Sequence, residues 1–200
     1  MEYISWARFV RLCGVLYRRI QASGFRPDLI VAITRGGYPP ARVLSDYFGV
    51  SDLLSLKVEH YRGPEKLRTA RVPYPFPASL RGRQVLVVDD VSDSGDSLAA
   101  ALAHLADKGE PKVLRTAVLH HKQTSQLTPD YHAQRVLKWR WITYPWAVVE
   151  DLTALARRLE PPPDTPAALR DALLREHGLH LPAGLFAEVA PIVLGAGPAD

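Results

Sequence analysis

Residues 85–97 read VLVVDDVSDSGDS, running from Val85 to Ser97. The segment 84–89 (QVLVVD) is a short, β-branched apolar run of the kind that forms a buried strand. It delivers two adjacent carboxylates, Asp89 and Asp90. A loop of small polar residues, 90–95, leads into a helix expected from about Asp96 to Lys108, with Gly109 closing it. Small residues let a backbone approach a ligand closely. The N–H groups at a helix start favour a phosphate, and Ser92, Ser94 and Ser97 add hydroxyl donors. Ionised carboxylates only accept hydrogen bonds, and a vicinal diol offers two donors. The expected ligand is therefore a sugar phosphate, its phosphate in the loop and its hydroxyls on Asp89 and Asp90. An acidic turn with Asp93 or Ser94 capping a helix would explain the loop alone. It would not explain strand, paired acid and small-residue loop together.

Outward from this segment the chain alternates strand and helix. Apolar residues at Trp6, Phe9, Val10, Cys13, Leu16, Tyr17 and Ile20 follow helical spacing, with Ser5 as N-cap and Gly24 as stop. Residues 28–34 (DLIVAIT) read as a buried strand, Arg35-Gly36-Gly37 as a turn, and Pro39 and Pro40 as the first turn of a helix running to about Phe48. Further strands are expected at 53–58 and 113–119. Residues 61–82, rich in proline and arginine, show no dominant period and read as a long functional loop. Strand, helix, strand, helix, strand in this order implies an α/β fold, a parallel sheet covered by helices. The run 160–166 (EPPPDTP) marks a linker, and 166–177 suits one short amphipathic helix.

Composition narrows the class. The 200 residues are 47% apolar and 23% charged, which excludes a disordered chain, a collagen and a disulfide scaffold. The apolar runs are too short to span a bilayer, and Arg8, Arg11, Arg18 and Arg19 interrupt any signal-like opening, so a cytoplasmic protein without a membrane partner is expected. The single cysteine, Cys13, lies on the apolar stripe of the first helix and reads as a buried thiol. Lys plus Arg is 25 against 21 for Asp plus Glu; a net +4 hints at anions without naming one.

The stretch 85–97 resembles the phosphoribosyl-diphosphate-binding motif of type I phosphoribosyltransferases. That motif is an apolar run, two acids, two variable residues, then an acid, Thr or Ser, Gly, any residue, and Thr or Ser. Here the acids are Asp89, Asp90 and Asp93, followed by Ser94, Gly95 and Ser97. Asp96 departs from the usual glycine, lysine or other exposed residue, and its charge has to turn away from a phosphate. The family's diphosphate loop is matched by Thr34, Arg35, Gly36 and Gly37, with Thr34–Arg35 the bond that is cis in some relatives. Taken alone, RGG describes an ordinary strand-to-helix turn. Residues 61–82 hold the place of the family's flexible flap, with Tyr61, Lys66 and Arg68 as contacts to consider. Lys122, and Trp141-Ile142 nineteen residues on, resemble the base site of 6-oxopurine enzymes, closest to the short archaeal and bacterial xanthine–guanine and hypoxanthine type. Trp139 and Tyr144 are alternatives to Trp141, and Ala147 stands where relatives often carry glutamate.

The resemblance implies a type I phosphoribosyltransferase fold with flap and small hood over residues 1–152, the hood built partly from 120–147. It leaves 153–200 as an extension of unassigned role. It implies transfer of 5-phosphoribosyl from phosphoribosyl diphosphate to N9 of guanine, xanthine or hypoxanthine, giving a nucleoside monophosphate and diphosphate. In that reading Asp93 is the proton acceptor. Asp89, Asp90, Ser92, Asp93, Ser94, Gly95, Asp96 and Ser97 bind the phosphoribosyl group and its 5′-phosphate. Thr34, Arg35, Gly36 and Gly37 bind diphosphate. Lys122, Trp141 and Ile142 bind the base. Mg²⁺ is the implied cofactor, met by Asp89 and Asp90 directly or through water. A homodimer or homotetramer without a nucleic-acid partner is implied. A non-catalytic sensor of phosphoribosyl diphosphate or nucleotide, or an enzyme for another base, are the competing readings.

Overall fold

The apolar run at 85–88 occupies the middle of a five-stranded parallel sheet. In the computed structural model, which describes residues 1–62 and 68–195, the chain runs β1 (Glu2–Tyr3), α1 (Trp6–Ala22), β2 (Leu29–Thr34), α2 (Tyr38–Phe48), β3 (Leu53–Lys57), β4 (Glu59–Arg62), β5 (Arg68–Arg71), β6 (Gln84–Ser92), α3 (Asp96–Ala106), β7 (Val113–Lys122), β8 (Tyr131–Val136), β9 (Ile142–Thr143), α4 (Val148–Ala156), α5 (Pro166–His177) and α6 (Ala183–Gly195). The main sheet has the order β3-β2-β6-β7-β8, every neighbouring pair parallel. Leu29–Ala32 lie in register with Val85–Val88, so the loops that follow β2 and β6 leave from the same edge of the sheet. Ligands of open parallel sheets bind at such carboxyl ends.

Alternation along the strands explains the layers. Leu29, Val31 and Ile33 of β2 and Val85 and Val87 of β6 pack with Leu98, Ala101 and Leu105 of α3. Ile30, Ala32, Leu86 and Val88 face the other way and are fully buried, as expected for a sheet covered on both sides. The start of α1 follows the expected cap, with the Arg8 N–H donating to Ser5 Oγ at 3.2 Å. Among the described residues no helix is long and apolar enough to cross a membrane.

Two compact units emerge from the chain's own contacts. One is Val10–Trp139, which holds the main sheet. The other gathers Met1–Phe9 with Arg140–Asp200. In the latter, β1 pairs in parallel with β9. Leu152, Leu169, Leu173, Leu179, Ala190 and Val193 form its core, and Met1 and Tyr3 pack against it. The Met1 ammonium donates to the carbonyl of His177 at 2.9 Å, placing a cation at the carbonyl end of α5. Tyr144 stacks on Trp146 at 4.8 Å, and Phe9 meets Trp146 edge-on at 5.0 Å.

Several elements differ from the sequence expectation. The stretch 61–82 is not one irregular loop: β4 and β5 form an antiparallel hairpin at its start. Lys66 lies outside the described residues, while Tyr61 and Arg68 belong to the two hairpin strands. β6 runs on through Ser92, and β7 through Lys122, because both continue to pair beyond their apolar stretches. Part of the expected hood, 131–136, is the edge strand β8 of the main sheet. Its polar alternation, YHAQRV, suits an edge and gave no buried-strand signal. α4 and α6 are helices beyond those the sequence analysis placed, and Pro191 lies inside the latter.

Gly37 ties β2 to β6. A Cβ there would lie 2.4 Å from the Val88 carbonyl oxygen and 2.6 Å from that of Ile33. Both are backbone atoms in the sheet core, so the chain rather than a side chain would have to shift. Gly37→Ala is expected to lower the melting temperature by roughly 3–10 °C, read by thermal denaturation; an unchanged value would show that the turn is more pliable than its packing implies.

Candidate active site

At the end of β2 the peptide Thr34–Arg35 is cis, the geometry that the resemblance raised for this bond. Thr34 Oγ1 donates to the Leu56 carbonyl at 3.1 Å, tying the loop to β3, and the Arg35 side chain is exposed. A Cβ on Gly36 would sit 2.3 Å from Asp90 Oδ2. The 34–37 turn therefore lies directly against the second carboxylate of the β6 pair, with no room for a side chain between them.

Asp89 is buried at 7% exposure and accepts the Asp90 N–H on Oδ1 at 2.9 Å. Burial first, and then the adjacent charge of Asp90, hold its carboxyl well above the usual aspartate range; the Asp90 N–H works in the opposite sense. A cation or a pair of hydroxyl donors at this point would favour the ionised form.

The loop after β6 is braced by residues that follow β7. Ser92 Oγ, buried, is 2.7 Å from Ser125 Oγ, so this hydroxyl is committed to packing rather than presented at the loop surface. The Gln126 N–H donates to the Ser94 carbonyl at 2.9 Å. Gly95 has φ +96° and would carry a Cβ 3.0 Å from Leu127 and from Ser125 Oγ, so both its conformation and its neighbours call for glycine. Ser97 lies in the first turn of α3. Asp96 opens α3, and its Oδ2 accepts from Ser94 Oγ at 2.8 Å. Its charge is thus turned onto Ser94, one of the hydroxyls expected to hold phosphate.

Asp93 is the hub. Lys122 Nζ, on a side chain only 3% exposed, donates to Asp93 Oδ2 at 2.7 Å. Trp139 Nε1 donates to Oδ1 at 3.1 Å. Thr124 Oγ1 reaches the Asp93 carbonyl at 3.0 Å and Oδ1 at 3.3 Å. Lys122 Nζ also lies 4.7 Å from the centre of the Trp139 ring, within cation–π range. Within this unit the indole beside Lys122 is that of Trp139. Trp141 and Ile142 belong to the other unit. There Ile142 pairs with Glu2, and Trp141 Nε1 donates to Asp151 Oδ2 at 3.0 Å. Burial raises the Asp151 pKa, opposed by hydrogen bonds from Trp141 and Thr143. In WRW the two indoles are two residues apart, so an extended chain puts both on one face and spacing alone cannot choose between them. Thr124 and Ser125 went unread, as polar residues in a turn carry no signal before β6 and β7 are paired.

His120 and His121, which directly precede Lys122 at the end of β7, are both buried. The ring of His121 lies 5.5 Å from that of His132. Among the described residues no group of three or more His, Cys, Asp or Glu gathers around a metal position.

The phosphoribosyl transferase domain family matches residues 2–151. The chain belongs to that family. This phosphoribosyltransferase is 31% identical to the hypoxanthine-guanine phosphoribosyltransferase of Saccharomyces cerevisiae, over 72% of its own length and 85% of the relative's. It is 27% identical to xanthine phosphoribosyltransferase 1 of the same yeast, over 78% of its length and 94% of the relative's. Among solved structures it resembles a purine phosphoribosyltransferase of Pyrococcus horikoshii, with a TM-score of 0.64 and 30% identity, covering 72% of this chain and 92% of that one. The helix-flanked parallel sheet is thus the type I phosphoribosyltransferase fold.

The buried acid pair of this phosphoribosyltransferase has a consequence for stability. Because the folded-state pKa of Asp89 is raised, the native protein keeps a proton that the unfolded chain has lost, and stability falls as pH rises above the ordinary aspartate value toward the raised one. Asp89→Asn removes that loss and keeps an acceptor for the Asp90 N–H. The ligand-free variant is expected to melt roughly 3 °C or more above the parent at neutral pH, with the gap closing near pH 4. A variant no more stable than the parent at pH 7 would mean that the buried charge is already relieved.

Proposed function

We propose that this phosphoribosyltransferase serves purine salvage, transferring 5-phosphoribosyl from phosphoribosyl diphosphate to N9 of a 6-oxopurine. The observation that carries this is the Lys122–Asp93 pair, a cationic donor and an anionic acceptor 2.7 Å apart. One edge of a 6-oxopurine carries the O6 acceptor beside N7, which holds a proton in one tautomer. Lys122 matches O6 and Asp93 matches the N7 proton. Adenine presents an amine in place of O6, which would leave the ammonium facing another donor. The two yeast relatives, named for xanthine and for hypoxanthine and guanine, support the same substrate class.

The reaction needs no covalent enzyme intermediate. The N9 lone pair forms the bond to C1′ as the bond from C1′ to diphosphate breaks, and the N7 proton passes to Asp93. Charge builds on the leaving diphosphate, which the 34–37 turn would receive through its amides and Arg35. Amides and hydroxyls of 94–97 would hold the 5′-phosphate at the start of α3. Ser94 would then exchange its bond to Asp96 for one to phosphate. Asp89 and Asp90 would take the ribose hydroxyls.

The donor set also fits Mg²⁺ arriving with its substrate. Two carboxylates stand side by side, no wider protein cage forms among the described residues, and this ion characteristically combines one or two carboxylates with substrate phosphate and water. Bound there through Asp89 and Asp90, it would offset the charge of the diphosphate.

A panel of guanine, hypoxanthine, xanthine, adenine and uracil with phosphoribosyl diphosphate and Mg²⁺ tests the reading. Turnover should be confined to the 6-oxopurines, and turnover of none, alongside tight phosphoribosyl-diphosphate binding, would favour a ligand sensor. Asp93→Asn should lower kcat well over tenfold, on the scale of a lost proton acceptor, while phosphoribosyl-diphosphate affinity is largely kept. Lys122→Ala should raise KM for the oxopurines selectively; an equal loss with every base would point to a structural lysine.

A further inference from the structure

Asp93 sits in a stretch of small residues, between Ser92 and Ser94, and no helix or strand of its own fixes its side chain. Its carboxylate is 42% exposed, yet each oxygen is engaged by a group from beyond β6. Lys122 holds Oδ2. Oδ1 is held by Trp139 Nε1 at 3.1 Å and, at the longer distance of 3.3 Å, by Thr124 Oγ1. The indole that makes this bond is itself steadied over Lys122 Nζ at 4.7 Å. Trp139 is 55% exposed, so its burial does not explain a tryptophan at that position. Its two polar contacts do, since both end on the ion pair of the proposed base site.

We propose that Trp139 is a positioning residue for the proton acceptor. Its indole N–H fixes the rotation of the Asp93 carboxylate so that Oδ2 stays beside Lys122, and its ring holds the ammonium in place. The pair then meets the purine edge already oriented, instead of losing side-chain freedom when the base binds. An exposed carboxylate with only the lysine to hold it could rotate about its own bond and present either oxygen. The proposal rests on the assignment of Asp93 and Lys122 to the base edge. It adds a residue that acts only through them.

Trp139→Phe keeps an aromatic ring over Lys122 and removes the N–H, and at an exposed position it should leave the melting temperature unchanged. It is expected to lower kcat for guanine about fivefold while KM for phosphoribosyl diphosphate stays put. In an Asp93→Asn background the same change should have no further effect, since the group it positions is gone. A loss of equal size in both backgrounds, or no loss in the parent, would overturn the proposal. The second measurement needs no turnover: the indole N–H resonance of Trp139, assigned by its absence in Trp139→Phe, should move on Asp93→Asn. An unmoved resonance refutes the contact. If the parent turns over no 6-oxopurine, the base assignment fails, and the resonance alone then decides whether Trp139 holds Asp93.

Discussion

Everything at the proposed site depends on how closely the ends of β2 and β6 approach one another. The two strands run in parallel and in register, and where β2 stops its turn lies on the backbone of β6 at Val88 and Asp89. Gly37 leaves space for two carbonyl oxygens, and Gly36 leaves space for the Asp90 carboxylate. A side chain at Gly37 would push the turn outward, and one at Gly36 would displace the Asp90 carboxylate. The 5′-phosphate and the diphosphate of phosphoribosyl diphosphate flank one ribose, so loops that hold them have to converge on a common sugar. A parallel sheet with adjacent ends provides that convergence without further machinery.

Charge is distributed around this meeting point in two different ways. Asp89 and Asp90 are like charges in close company, one of them buried, and the free protein resists ionising Asp89. Asp93 and Lys122 are opposite charges in contact, with the lysine almost wholly enclosed. The first arrangement stores an unfavourable interaction that a cation or hydroxyl donors would relieve. The second is satisfied in the free protein, and removing one partner would strand the other. The small net charge of +4 is the remainder of such opposed groups and carries little information itself.

Much of the frame was legible because it rests on local chemistry. The period of 84–89 and 28–34, the prolines opening α2, the Ser5 cap and the helix 166–177 follow from propensity and spacing. The elements that escaped are those whose identity depends on a partner. β8 is polar and becomes a strand only by lying beside β7. The hairpin of β4 and β5 has no hydrophobic alternation to announce it. α6 is apolar on most sides and is broken in pattern by Pro191, so its helical period is obscured. At the site, the Ser92 hydroxyl meets Ser125, a partner that lies 33 residues on and is not visible in the motif itself.

The sequence by itself determined the fold class, the acid pair, the small-residue loop and the turn of glycines, since each is written in consecutive residues with a known local preference. Tertiary structure decided which distant residues join them. It set the Trp139 indole beside Lys122, brought Thr124 and Ser125 to the loop after β6, and turned Asp96 onto Ser94. These choices depend on strand register and on the path of the chain after β7 and β8. Alternation along an extended chain says which residues share a face, but it cannot say what that face will meet.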